Sequence, residues 1–181
     1  MDLLERHSGI RLDIGGGSTP QEGFVVMDIR PLPGVDIVHD CEDIPWPLPD
    51  ECVIDAIASH LVEHINPAKF GFINFMNEVW RIMKPGGKFW IATPYGASKG
   101  YYQDPTHCNP CIEATWLYFD PLEQAGEGRL YRIYEPKPWR ISYLHWLPQA
   151  NLEVMLIKRR EDYLEEERER IARAAIPIPV S

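Results

Sequence analysis

An open, mostly parallel α/β sheet with helices on its faces, in a single domain, is the architecture this sequence predicts. Three observations carry it. Short apolar runs rich in Val and Ile recur at 10–14 (IRLDI), 24–29 (FVVMDI), 35–40 (VDIVHD) and 53–59 (VIDAIAS), each bounded by Gly, Pro or Asp, as buried strands are. A helical pattern then runs from Asn66-Pro67 to Lys84. Asn66 and Pro67 suit a cap and a first helical position, Phe70, Ile73, Asn77, Trp80 and Met83 recur at helical spacing, and KPGG (84–87) stops the helix. A further apolar run, KFWIATP (88–94), follows that helix, and strands, a helix and another buried strand in this order are the mark of an open α/β sheet.

The remaining elements follow in order. Residues 95–111 are rich in Gly, Pro and Tyr and predict a long loop of the kind that carries function. IEATWLYF (112–119) suits a short helix, and WRISYLHWL (139–147) with LEVMLIK (152–158) suits a closing strand pair. The domain is expected to span 1–160, with a charged C-terminal helix and tail over 161–181, where Leu164, Ile171 and a few alanines are the apolar anchors.

Composition narrows the function classes. A length of 181 residues fits one domain, and a formal charge of −9 argues against a nucleic-acid backbone as the main partner. No stretch approaches a membrane span and the N-terminus lacks a signal-peptide core, so a cytoplasmic protein with no membrane partner is expected. Cys41, Cys52, Cys108 and Cys111 are then most simply reduced thiols, and the single C-x-x-C at 108–111 has no second pair to complete a zinc site.

The stretch LDIGGGSTPQEGFVVMD (12–28) sets the functional question. Glycines after a strand and an Asp closing the next strand outline a nucleotide-binding turn. A dinucleotide needs a helix N-terminus for its pyrophosphate, but position 20 is Pro and only six residues separate Gly17 from Phe24. That is too little chain for a helix and a return. A ligand with a ribose and no phosphate escapes the requirement, and S-adenosylmethionine is such a ligand.

From about Gly9 to residue 120 the chain resembles the class I S-adenosylmethionine-dependent methyltransferases, in particular the small, single-domain, type 11-like group with a Rossmann-like sheet. LDIGGGS, MDI, HDCEDIPWPLPDECVIDAIAS, HLVEHI and FMNEVWRIMKPGGKFWIATP match its motifs in the same order. The resemblance implies S-adenosylmethionine as cofactor and a small-molecule acceptor for the methyl group. It implies that Asp13 holds the loop and the amino group of the ligand, and that Gly15 and Gly17 let the backbone approach the methionine part. Asp28 would accept hydrogen bonds from the ribose hydroxyls, Asp40 with Cys41 would lie by the adenine, and Ser59 and His60 would lie near the transferred methyl. The chain departs from the group in lacking the helix between its first two strands. The C-terminal segment 152–175 is expected to cover the sheet face left bare, within the chain or across a homodimer.

Other readings stay beside this one. HLVEH (60–64) spells H-x-x-E-H, a zinc hydrolase signature that needs a helix, and His107, Cys108 and Cys111 could add ligands. The segment sits between a strand and a proline-opened helix, so no metal is expected. A non-catalytic binding or assembly subunit of the same fold is the second alternative. In QDPTHCNP (103–110), Asp104 and His107 could bind or deprotonate a substrate hydroxyl. His107 is the first candidate base, with His60 or His64 the second. Trp116, Tyr118, Phe119, Trp139, Tyr143 and Trp146 are expected mainly in the core, with an aromatic substrate pocket as the minority reading.

Overall fold

The structure, a computed structural model, describes residues 9–123, 128–147, 151–160, 162, 163 and 165. Seven strands form one sheet: β1 (Ile10–Ile14), β2 (Val25–Asp28), β3 (Ile37–Val38), β4 (Val53–Ser59), β5 (Met83–Pro94), β6 (Trp139–Trp146) and β7 (Asn151–Lys158). Their spatial order is β3-β2-β1-β4-β5-β7-β6. The first five are parallel, and β7 runs antiparallel to both β5 and β6. The open, mostly parallel sheet and the closing strand pair both agree with the sequence expectation. β4 occupies the predicted 53–59, while β3 is reduced to two residues.

The register separates the two faces. Leu12, Ala56, Phe89 and Leu156 stand side by side and are all fully buried. Helix α1 (Gly71–Ile82) covers this face with Phe75, Met76 and Val79. Trp116 of α3 (Glu113–Leu117), Phe119 and Trp139 extend the same core, and Phe119 and Trp116 both meet the Phe72 ring edge-on. These three aromatics are therefore core residues, whereas Tyr118 is half-buried and Tyr143 and Trp146 are exposed. On the opposite face the neighbouring row is Asp13, Ile57, Trp90, Met155 and Tyr143, and Trp90 keeps 40% of its surface exposed.

Two expectations are corrected here. Helix α1 begins at Gly71 rather than Pro67. Lys69 and Phe70 have φ of 53° and 64°, a left-handed backbone that a right-handed helix cannot run through. The first helical position is a glycine, since a Cβ there would collide with the Asn66 carbonyl oxygen. The second correction concerns residues 152–158. They form β7 within the sheet and so cannot cover it. Of the rest of that segment only 159, 160, 162, 163 and 165 are described, so the charged helix over 161–175 lies almost wholly outside the described residues.

Residues 15–24 hold turns and no helix, as the short spacing requires. Asp13 braces this loop by accepting the Gln21 backbone N–H at 2.7 Å. The long loop after β5 holds one helical turn, α2 (Lys99–Tyr102), whose Tyr101 N–H donates to the Ser98 hydroxyl. The last described helix is α4 (Tyr131–Tyr134).

The E-x-x-R part of the segment ending in KPGG has a structural role. Glu78 accepts the Trp46 N–H at 2.6 Å and two hydrogen bonds from the Arg81 guanidinium, which also donates to the Leu48 carbonyl and to Asp50. The pair pins the 46–50 loop to α1. Burial works to raise the Glu78 pKa, but the bonds from Arg81 and Trp46 outweigh it and hold the carboxyl below its ordinary value. Arg81→Met should therefore destabilise the fold by about 1–3 kcal/mol, since it strips a buried carboxylate of two of its three hydrogen bonds. A depressed carboxyl contributes stability above its unfolded pKa and loses it as pH falls through the folded value. The wild-type advantage over Arg81→Met in thermal melts should thus shrink as pH drops below the ordinary Glu value of 4.5. An advantage independent of pH would show that the ion pair is not its source.

Candidate functional site

The chemistry-bearing residues gather where the parallel strands end. In open α/β sheets ligands bind at the carboxyl ends of the strands, beside the point where strand order reverses. Here that point is β1, flanked by β2 and β4. Asp13 and Gly15–Gly17 lie at the end of β1, Asp28 ends β2, Asp40 and Cys41 follow β3, and Ser59 ends β4. All seven cofactor-binding positions expected from the sequence thus belong to one edge of the sheet.

The glycine turn is tight. Its Gly15 N–H donates to the Met27 carbonyl at 2.7 Å, and Gly15 and Gly17 have φ of 74° and 57°. Gly16, which carries no role in the sequence reading, is just as constrained: a Cβ there would sit 2.8 Å from the Asp13 carboxyl and 3.0 Å from Val26. The backbone is kept bare where a ligand would pass.

Asp28 is buried and fully engaged on one oxygen. Its Oδ1 accepts the Arg30 backbone N–H at 2.9 Å and the Arg30 Nε–H at 3.2 Å, and its Oδ2 accepts the Gly17 N–H at 2.9 Å. Burial pushes its pKa up, yet the Arg30 and Gly17 donors prevail and hold it below the ordinary Asp value. Asp13 goes the other way, because burial and the neighbouring Asp28 charge outweigh its bond from Gln21. Sequence reasoning missed Arg30. The available signal was its place two residues beyond Asp28, which returns it to the same side of an extended chain.

Asp40 accepts the Glu42 N–H and caps a turn, and Cys41 packs half-buried beside it, its thiol pushed up to about 12 by burial and then by Asp40 and Glu42. A cavity of about 430 Å³ opens beside Cys41, Glu42 and Phe75. A larger one, of about 920 Å³, involves Glu51, Arg81 and Lys158 and none of the strand-end residues named above, so size does not mark the candidate site.

The three candidate bases converge at the ends of β4 and β5. His60 has a left-handed φ of 52° and its N–H donates to the Ala92 carbonyl of β5. Glu63, fully buried, places its Oε1 3.2 Å from His60 Nδ1 and accepts the Thr93 hydroxyl on Oε2 at 3.0 Å. That carboxylate raises the His60 pKa, against the opposing effect of burial. The rings of His64 and His107 stand edge-on with centroids 4.7 Å apart. Asp104 and His107 do not form a close pair, at 4.0 Å, because Asp104 is occupied by the Thr106 hydroxyl and N–H, which hold its pKa low.

The alternative motifs fare differently. HLVEH is no helix: residues 62–64 form one 3-10 turn, so His60 and His64 are not stacked one helical turn apart. In the C-x-x-C, Cys111 is buried with its thiol pushed up to about 12, while Cys108 is exposed and donates to the His64 carbonyl. No helix among the described residues is long and apolar enough to cross a membrane.

No protein-family model and no curated protein matches the chain. Solved structures do. It is similar to an S-adenosylmethionine-dependent methyltransferase from Archaeoglobus fulgidus, at 16% identity over 83% of this chain and 87% of that one, with a TM-score of 0.59. It is similar to a chain of the Haloferax volcanii complex of the Trm112 methyltransferase activator with a methyltransferase, at 13% identity over 84% of each, TM-score 0.58. It is also similar to the 16S rRNA (adenine(1408)-N(1))-methyltransferase from Catenulisporales acidiphilia, solved with S-adenosylmethionine, at 12% identity over 84% and 86%, TM-score 0.53. The fold is that of the Rossmann-like class I methyltransferases.

Proposed function

We propose that the chain transfers a methyl group from S-adenosylmethionine to a small-molecule acceptor in the cytoplasm. The observation that carries this reading is the pair of buried carboxylates, Asp13 and Asp28, around a glycine turn with no room for a side chain at Gly16. Two buried acids repel a pyrophosphate and suit a cationic ligand. Asp28 uses three of the about four acceptor positions of a carboxylate, which leaves one on Oδ2 for a ribose hydroxyl. When bound, S-adenosylmethionine supplies an electrophilic methyl on its sulfonium.

The chain's own residues would then hold the acceptor in line and, where needed, take its proton. Positioning alone can supply about 7–11 kcal/mol in favourable cases. Among the three candidate bases, His60 has its Nδ1 directed at Glu63, which strengthens the ring as a base and leaves Nε2 to receive a proton. Calorimetric titration with S-adenosylhomocysteine is the test. A one-to-one complex is expected, and a folded chain that shows no binding heat would overturn the reading. Binding without turnover on any small hydroxyl or amine acceptor would favour the non-catalytic subunit instead.

A further inference from the structure

We propose that Glu63, His64 and His107 form a site for a divalent first-row transition metal of the zinc class. The site rests on geometry alone and does not depend on the methyltransferase reading. One ligand atom from each of the three lies within 4.8 Å of the others. Two imidazoles and a carboxylate are a donor set that binds such ions with an open position for water or substrate.

Hydrogen bonding selects the right ring nitrogens. The Thr106 hydroxyl has one proton and gives it to Asp104 Oδ1, at 2.7 Å. Its oxygen must therefore accept from His64 Nδ1, 3.1 Å away. His107 Nδ1 lies 2.7 Å from the Tyr101 carbonyl, which can only accept. In the neutral form, each ring with these partners carries its proton on Nδ1 and keeps its lone pair on Nε2. Orientation of a ligating imidazole through its second nitrogen is what metal sites require.

The carboxylate supplies the second observation. Glu63 has no exposed surface, and its Oε1 meets no hydrogen-bond donor in good geometry among the described residues. Its neighbour is His60 Nδ1, 3.2 Å away on a half-exposed ring, and a carboxylate oxygen with two lone pairs keeps one for a second partner beside that contact. A buried, under-satisfied carboxylate beside two free imidazole lone pairs is the arrangement a cation would complete.

The backbone holds the three together. Cys108 and Asn109 both donate their N–H to the Glu63 carbonyl, and the Asn109 side chain donates to the Val62 carbonyl. The loop carrying His107 is therefore clamped onto the turn carrying Glu63 and His64. Zinc bonds of about 2.0–2.2 Å place ligands roughly 3–3.5 Å apart, a closure that side-chain rotation supplies. This set differs from the H-x-x-E-H scheme, since His60 backs Glu63 and does not ligate. It departs from the expectation of no metal, which rested on the segment having no helix to carry H-x-x-E-H and took His107 only as an accessory.

The test uses the full chain, stripped with chelator and titrated with Zn²⁺, and with Co²⁺ as a spectroscopic probe. One equivalent should bind, with cobalt absorption free of a thiolate charge-transfer band. His64→Ala and His107→Ala should each weaken binding at least tenfold, and the double variant should lose the stoichiometric site, whereas His145→Ala on β6 should leave it intact. These rings are on loops, so the variants should fold, which circular dichroism checks. Absence of a stoichiometric site in the folded wild type, an unchanged site in the double variant, or a thiolate band would each overturn the proposal. S-adenosylhomocysteine titration of the metal-free chain is read separately, so failure of the metal site and failure of the cofactor reading are told apart.

Discussion

Replacing Asp28 with alanine is expected to weaken S-adenosylhomocysteine binding by at least tenfold. A hydrogen bond to a charged group contributes about 1.5–3 kcal/mol, and about 1.4 kcal/mol is a factor of ten. The loss has a second source. Oδ2 of Asp28 holds the Gly17 N–H and Oδ1 holds Arg30, whose guanidinium lies against Gly17, 3.1 Å from where a Cβ would be. Removing the carboxylate frees both the turn and the arginine. Asp28→Asn keeps an acceptor of the same shape and should lose less. Because its donors hold Asp28 below the ordinary Asp range, wild-type affinity should not titrate with this group between about pH 5 and 8. Titration calorimetry of the two variants is the measurement, and an unchanged affinity in Asp28→Ala would falsify the ribose assignment.

The largest effect on stability is expected at Trp139. Its ring is fully buried against Phe89, with centroids 6.0 Å apart, and its backbone N–H donates to the Phe119 carbonyl. Trp139→Ala should cost about 3–5 kcal/mol, the range for emptying an aromatic position in a core. The indole N–H meets no acceptor among the described residues, so its burial opposes the fold. Trp139→Phe removes that N–H with part of the volume and should cost well under half as much. Denaturant melts decide it. Equal losses in the two variants would mean that the indole N–H has a partner that matters, and that packing is the smaller contribution.

The sequence by itself determined the strands and the glycine turn. VIDAIAS forms β4 end to end, because a short Val- and Ile-rich run is best buried as a strand between two others, here with Val53, Ala56 and Ala58 fully buried. The six residues after Gly17 leave no room for a helix, and the loop has none, since chain length is a local constraint that no tertiary contact can lift. Asp13 and the glycines after it lie at the end of β1, and Asp28 ends β2, because the apolar runs stop there. Tertiary structure decided what depends on atoms far apart in the chain. The start of α1 moved to Gly71 because Lys69 and Phe70 take a left-handed backbone, which periodicity cannot show. Gly17 came to donate to Asp28, and to lie beside Arg30, only when β1 and β2 paired. The set of Glu63, His64 and His107 arose when β4 and β5 paired as parallel neighbours, and the loops leaving them were tied by hydrogen bonds from Cys108 and Asn109 to one carbonyl. HLVEH is legible as a string, but which of its residues face a partner depends on a left-handed His60 and a single 3-10 turn. That geometry is set by packing, because the intrinsic preferences of five residues are worth less than the contacts that override them.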